Sequence, residues 1–581
     1  MSKIIVAHSA GFCHGVKRAV EKVFTIANND DARNTVTLGP VVHNPQVLEQ
    51  LDSIGIASIS DPSEAKGKNV VVRAHGITPQ LRKDLRANDA KISDATCPDV
   101  GFVHGIVKKH ATQGYATVVV GDKNHAEIKG VLGFSDGKGY AIDTIEEVKT
   151  LPELKKVCIV SQTTHQMSHF QSICNALIDR FGKDNCLIFD TICQSTKDRQ
   201  NAVETLAEKV DIMVVIGGKN SANTHQLVNL SRSKGTDAVH VANLDDLNAI
   251  DLSPYARIGV TAGASTPNWM IKHVVLRIQH QQREKLSFFT RLLSHVWDFI
   301  RYTHIITGVA AGALSLTFCT LVNIPVSWKT FLVPVVFITG LYILNSILRI
   351  PFLKLNEPPK FVFYEKHKSL FKKCVCLCGI TALALCIMLN TASALAMVSF
   401  VVFAFAIYKY GIPWKRTKVF KLWKIQKLPG SKDAVVLLAW IVPAFVIPLL
   451  GVHEPPFFLS IAVCTALAIP MVFIRSVAND TLEMHEDLMV GSETLPMAIG
   501  EDKVIRLIMV SAITASCILI LATSLGFLTP LGFVLLLPLW GNVWMTTKIT
   551  SIPISLYLRF SDIVDLSFIF SALLITVLSR L

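Results

Sequence analysis

The sequence predicts two unlike domains in one chain: an α/β, three-lobed soluble part made of three similar parallel-sheet units, then an all-α polytopic membrane part of about nine transmembrane helices. Three observations predict this. Residues 1 to about 281 alternate short β-branched runs with amphipathic stretches, as parallel sheets with crossover helices do. From about residue 304 to the end, apolar runs of membrane-spanning length recur. The length of 581 residues also exceeds what one core sustains, since chains divide beyond roughly 250–300 residues. The boundaries read from these patterns are 1–281 for the soluble domain, 282–303 for a basic amphipathic linker and 304–581 for the membrane domain.

In the soluble part the runs "KIIVAHS", "KNVVVRAHG", "YATVVVGDK", "KVCIVSQT", "VDIMVVIGG" and "ARIGVTAG" each lead into a polar turn and then a helical pattern. Such sheets place their sites beyond the carboxyl ends of the strands. The opening "MSKIIVAHSAGF" lacks the basic region, apolar core and cleavage site of a signal peptide, so this part is expected in the cytoplasm with reduced thiols.

Three cysteines share one setting. Cys13 follows "IIVAHSAGF", Cys97 follows "AKISDAT" and Cys193 follows "CLIFDTI", and each precedes a helix-like stretch. Three strand-end thiolates from three comparable lobes could hold zinc with an open position, or an iron-sulfur cluster with one iron lacking a protein ligand. The spacing does not choose between them. Cys158, Cys174 and Cys186 lack the setting and read as small buried hydrophobes.

The other strand ends are polar. "GPVVHNPQV" supplies His43, "VRAHGITP" His75, and "GDKNHAEIKG" His125 with Glu127. Later loops add Thr163 and Thr164, Ser221 and Asn223, and Ser265. Taken singly, each is an ordinary hydrogen-bonding or capping residue. Jointly, imidazoles, hydroxyls and helix-start amides suit phosphate oxygens, with one carboxylate beside a metal centre.

"GFCHGVKRA", "GPVVHNPQV", "RAHG", "DATCPDV", "GDKNHAEIKG", "SQTT", "DTICQSTKDRQ", "KNSANT" and "GVTAGAS" together resemble the 4-hydroxy-3-methylbut-2-enyl diphosphate reductases, the last enzymes of the methylerythritol phosphate route to isoprenoids. The resemblance covers residues 1 to about 278. It implies three sheet units around a central 4Fe-4S cluster held by Cys13, Cys97 and Cys193, its fourth iron free for substrate. It further implies reductive dehydroxylation of that diphosphate to isopentenyl and dimethylallyl diphosphate, with an electron donor such as flavodoxin or ferredoxin. His43, His75, His125, Ser221, Asn223 and Ser265 would bind the substrate, Thr163 would order a hydrogen bond near its hydroxyl, and Glu127 would deliver a proton. Where many members read Ser-Ser-Asn, this chain has Ser221, Ala222 and Asn223. One hydrogen bond, worth on the order of 1 kcal/mol, is then missing.

After residue 281, "QREKLSFFTRLLSHVWDFIRYTH" is basic on one face and apolar on the other, which suits a linker helix or a helix in the headgroup region. Apolar segments follow near 304–324, 330–350, 374–391, 394–410, 434–451, 457–476, 503–525, 527–545 and 562–580. The loops near 351–373 and 411–433 are rich in lysine while "LNTAS" and "GVHEPP" carry no cation. Both basic loops are therefore expected in the cytoplasm, with the soluble part on the same side of a cytoplasmic (inner) membrane. The net charge of +13 thus reflects topology, and no nucleic-acid-binding module is visible.

A third loop, "NDTLEMHEDLMVGSETLP", carries Asp480, Glu483 and Asp487 on one helical face, an arrangement suited to Mg2+ with a diphosphate. With "YGIPWKRTK" and the count of spans, it is similar to the UbiA-type intramembrane prenyltransferases, over about 304–581. That resemblance implies two Asp-rich motifs. The first is degenerate here: Asn345, Asn356, Pro358 and Lys360 keep register, but Arg349 and Leu353 stand at the acidic positions. Three functions follow as expectations: a membrane-tethered reductase with an altered membrane half, a bifunctional enzyme that also prenylates a lipid-soluble acceptor, or a reductase positioned by a prenyl-lipid-binding module.

Overall fold

The computed structural model describes residues 3–29, 34–42, 44–219, 221–284, 287–410, 412–413, 422–423, 431–450, 458–482, 494–547 and 560–581. The chain divides into two compact units, Met1–Lys285 and Leu286–Leu581.

The first unit contains β1 Lys3–Val6, β2 Thr35–Leu38, β3 Ala57–Ile59, β4 Asn69–Val72, β5 Lys91–Asp94, β6 Ala116–Val120, β7 Gly139–Ile142, β8 Val157–Ser161, β9 Cys186–Ile188, β10 Ile212–Ile216, β11 Asp237–Val241 and β12 Arg257–Ala262. They form three four-stranded sheets, ordered β3-β2-β4-β5, β7-β6-β8-β9 and β1-β12-β10-β11. Every pairing within them is parallel. The inner strands are buried along their whole length except at Arg257 in β12, as in "NVVV", "ATVVV", "VCIVS" and "IMVVI". A parallel sheet covered on both faces selects such continuous β-branched runs.

The third sheet joins the two ends of the unit, since β1 pairs with β12. The threefold plan follows. β1, β5 and β9 each lie at the edge of a different sheet, and β12, β4 and β8 are their inner neighbours.

Among the described residues, the second unit is helical apart from one short antiparallel pairing, Ile412–Pro413 with Leu422–Trp423. Five helices are long and apolar enough to cross a membrane: Trp328–Leu348, Lys368–Leu389, Ala462–Leu482, Asp502–Ser524 and Phe560–Leu578. Phe288–Tyr302 and Ile305–Leu321 make a sixth if the pair, bent by 61°, counts as one span. Thr391–Phe403 and Asp433–Val446 are shorter apolar helices. The described residues thus supply five or six spans by length and composition.

The apolar segment near 527–545 is not one helix. Gly526, with φ +78°, ends the preceding helix, and a 3-10 turn Pro530–Leu535 leads into the helix Leu536–Thr547. Pro530 offers no N–H to continue a helical ladder, which breaks this segment at its start. The unit's core gathers Ala310, Phe318, Trp440, Val472, Val504 and Phe568 from helices far apart in sequence.

Candidate active site

The three cysteines occupy equivalent places. Each follows an edge strand of a different sheet and stands immediately before a helix: Cys13 before His14–Asn29, Cys97 before Pro98–Thr112 and Cys193 before Gln194–Ala207. Each also donates its N–H to a carbonyl beyond the neighbouring inner strand. Cys13 N lies 3.1 Å from Ala264 O, Cys97 N 2.9 Å from Ala74 O, and Cys193 N 2.9 Å from Thr163 O. Edge strand, inner-strand tether and helix start therefore repeat three times around one centre.

The thiols sense one another: the Cys13 charge adds to the upward shift of both Cys97 and Cys193, although burial is the main cause in each. Burial pushes the Cys97 thiol up to about 11. Without a metal the Cys97 and Cys193 sulfurs keep their protons at neutral pH, and a bound cation would displace them. A single zinc, with thiolates at about 2.3 Å, would draw its sulfurs to about 3.8 Å of one another. Among the described residues these three sulfurs form no trio within 4.8 Å. A multi-iron cluster, whose sulfur ligands sit on separate irons, does not require so close a trio. Close approach is built in on one side, where a Cβ on Gly15 would stand 2.5 Å from Cys97 Sγ.

The remaining strand ends carry the polar residues. His75 follows β4, in a turn that needs Gly76 at φ +73°, where a Cβ would meet His104. His125 caps the helix Ala126–Leu132: its Nδ1 accepts from Glu127 N at 3.2 Å, which leaves the hydrogen on Nε2. The His75 and His125 rings meet edge to face at 5.2 Å. Glu127 is only 2% exposed, and its Oε1 accepts from Thr163 N at 2.7 Å. Burial pushes its carboxyl above the ordinary range, against the pull of the Thr163 hydrogen bond.

Ser221 caps the helix Ala222–Ser233 and accepts from Thr224 N at 3.3 Å. Asn223, on that helix, is buried, and its Nδ2 has no partner among the described residues. Ser265 follows β12 and is half-buried. His43 lies outside the described residues. The structure thus links Glu127, Thr163, His125 and His75 directly, and sets Ser221, Asn223 and Ser265 at the strand ends of the third sheet.

Arg199 escaped the sequence reading. It is 2% exposed, and its Nη2 donates to Ser9 O at 2.8 Å and Gly11 O at 2.7 Å, tying the Cys13 loop to the helix that follows Cys193. Burial disfavours its charge, and Cys13 and Cys193 favour it. A signal was present: Thr196, Arg199, Ala202, Val203 and Leu206 form one buried stripe, with a cation where an apolar residue belongs.

In the second unit, Arg349 ends the helix Trp328–Leu348, and its guanidinium stacks 3.8 Å over Phe352. Leu353 packs with Ile343, Phe352, Tyr364 and Phe371 in an apolar cluster. The two positions expected to be acidic are therefore a stacked cation and a core residue. Asp480 is buried near the end of the helix Phe458–Leu482, while Glu483 and Asp487 lie outside the described residues. A buried pair that the sequence reading missed lies on the same helix: Arg475 Nε meets Asp565 Oδ1 at 2.6 Å, and Nη2 meets Oδ2 at 3.0 Å. Tyr342 OH and Thr307 Oγ1 complete the pair's hydrogen bonds. A lone arginine in an apolar run was the available signal.

Residues 4–279 match the family model described as LytB protein. The 4-hydroxy-3-methylbut-2-enyl diphosphate reductase of Opitutus terrae is 41% identical over 289 residues, which is 48% of this chain and 99% of that one. The solved E-1-hydroxy-2-methyl-but-2-enyl-4-diphosphate reductase of Plasmodium falciparum is 30% identical and covers 47% of this chain and 87% of its own, at a TM-score of 0.45. A solved digeranylgeranylglyceryl phosphate synthase in membranes covers 48% of this chain and 98% of its own at 15% identity and a TM-score of 0.32, a level that carries no conclusion about the helical unit. Through its N-terminal unit, the chain belongs to the LytB family of 4-hydroxy-3-methylbut-2-enyl diphosphate reductases.

Proposed function

We propose that this chain removes the hydroxyl of 4-hydroxy-3-methylbut-2-enyl diphosphate by two-electron reduction, releasing water and giving isopentenyl and dimethylallyl diphosphate. The observation that carries the reading is the threefold repeat of edge strand, tethered cysteine and helix start, which offers three thiolates to one centre. Cys13, Cys97 and Cys193 would hold a 4Fe-4S cluster, which when bound supplies single electrons and an iron able to polarise the hydroxyl.

The chain's own residues do the rest. His75, His125, Ser221, Asn223 and Ser265, with His43, take the diphosphate; the Nε2–H of His125 and the unpartnered Nδ2 of Asn223 are donors for its oxygens. Glu127 holds a proton more firmly than an exposed carboxyl because it is buried, and so can give it up within the pocket. Thr163 fixes the carboxyl by its N–H and orders the hydroxyl end.

The helical unit tethers this chemistry to the cytoplasmic membrane as a nine-span domain of UbiA type, with the reductase in the cytoplasm and flavodoxin or ferredoxin as electron donor. The helix Phe288–Tyr302, whose Phe288, Phe289, Leu293 and Phe299 are exposed, lies in the headgroup region before the spans begin. Anchoring, or holding a prenyl lipid, is favoured over prenyl transfer because Leu353 is a core residue where the first Asp-rich motif needs a ligand for Mg2+. Anaerobic incubation of the full chain in lipid with labelled substrate, a one-electron reductant, Mg2+ and a lipid extract tests all of this. Label confined to five-carbon diphosphates supports the reading, label in the lipid fraction reinstates prenyl transfer, and no conversion overturns the reductase.

A further inference from the structure

One cluster in the second sheet has no part in the reductase chemistry. Asp143 directly follows β7, His165 precedes the helix Met167–Phe181, and His169 lies on its first turn. One ligand atom from each lies within 4.8 Å of the other two, and among the described residues no other trio of His, Cys, Asp or Glu comes so close. The His165 and His169 rings stack at 5.2 Å and 6°.

The hydrogen bonding around His165 asks for a cation. Its Nδ1 is 3.3 Å from Gln166 O, and a carbonyl only accepts, so Nδ1 carries a hydrogen. In the neutral ring Nε2 is then a lone pair, yet it faces Asp143 Oδ1 at 2.8 Å, and a carboxylate also only accepts. Two acceptors at that distance need a positive centre, either a second proton or a metal ion. A proton would satisfy His165 alone. His169 Nε2 lies 2.6 Å from Asp143 O and so carries a hydrogen, which leaves its Nδ1 as a lone pair that a metal would take together with His165 Nε2 and the carboxylate.

The surroundings have the form of a metal site. An imidazole whose other N–H is held by a backbone carbonyl is the usual outer support of a metal-bound histidine. The His165 side chain is 7% exposed and that of Asp143 51%, so one buried ligand faces an open side where water can complete the shell. Two nitrogens and one carboxylate oxygen suit borderline divalent ions such as Zn2+ and Ni2+. We propose that Asp143, His165 and His169 bind one such ion, separate from the three-cysteine centre. Bound there, the ion would clamp the segment from Thr163 to the helix Met167–Phe181. Gln200 Nε2 also reaches His165 O, at 3.4 Å, from the helix behind Cys193.

The test uses tag-free, full-length, cluster-loaded protein under anaerobic conditions, titrated with Zn2+ alone. Binding is read by calorimetry, and the zinc environment by zinc-edge X-ray absorption, which iron does not obscure. The expected result is one Zn2+ per chain with nitrogen and oxygen ligands at about 2.0–2.1 Å and no sulfur. His169→Ala, a half-buried surface position, and Asp143→Asn each weaken binding by at least about tenfold with iron content unchanged. A sulfur shell, no binding, or equal binding by wild type and both variants would overturn the proposal.

Discussion

Replacing Glu127 by glutamine isolates the proton from everything else this side chain does. The two residues are nearly isosteric, and the amide oxygen can still accept from Thr163 N, now 2.7 Å from Oε1. What is lost is the acid. A positioned general acid contributes about 10²–10⁴ in rate, or roughly 3–5 kcal/mol of barrier. Turnover of Glu127→Gln is therefore expected to fall by that factor while iron content and the spectrum of the reduced cluster stay as in the wild type.

Stability should move the other way with pH. Burial raises the folded-state pKa of Glu127 above its ordinary value, so its contribution is fully present below the unfolded pKa and is lost as pH rises through the folded one. The glutamine variant has no charge to bury and escapes this loss. At pH 8 it should unfold at a temperature no lower than the wild type, although it is almost inactive. The assay is anaerobic turnover with a one-electron reductant, beside thermal unfolding at pH 5 and pH 8. Undiminished turnover would refute the proton role, and a variant much less stable at pH 8 than the wild type would refute the dominance of burial.

Other perturbations test the remaining parts. Gly15→Ala places a methyl against Cys97 Sγ and should lower iron per chain after anaerobic reconstitution; full iron content would show that the thiol moves freely aside. Arg199→Gln removes a buried cation that the Cys13 and Cys193 thiolates favour. It should lower the midpoint potential of the bound cluster by on the order of 50 mV, about 1 kcal/mol per electron, and Arg199→Lys should restore most of it; an unmoved potential in a redox titration would remove Arg199 from this role. Arg475→Met strands Asp565 in the core of the helical unit and should cost about 3–5 kcal/mol, read as a lower unfolding temperature in lipid. Arg475→Met with Asp565→Leu should recover much of that, and equal damage from the single and double variants would contradict the pairing.

Much of the reductase unit was legible in the chain. Five of the six runs read as strands are inner strands, β4, β6, β8, β10 and β12, because burial on both faces demands continuous β-branched sequence. β2, "TVTL", is equally buried, but its two threonines interrupt the apolar signal. The edge strands β3, β7 and β11 were missed for a related reason: they face solvent in part, so their patterns are mixed. In the helical unit, hydropathy found apolar segments but not their breaks, since the turn at Pro530–Leu535 is as apolar as a helix.

The sequence by itself determined the chemistry on offer: three thiols at strand ends, a carboxylate, imidazoles and hydroxyls at others, and a second half with the hydropathy of a membrane. Only the tertiary structure decided how these meet. That three edge strands belong to three different sheets, and that β1 closes against β12, depends on pairings between residues up to the full length of the unit apart, which no local pattern encodes. The same holds for Arg199 against the Cys13 loop, for Arg475 against Asp565, and for Asp143 beside two histidines. Local sequence sets a residue's charge and its element. Which opposite charge or lone pair faces it is fixed by packing, because burying an unpaired polar group costs more than most single contacts return.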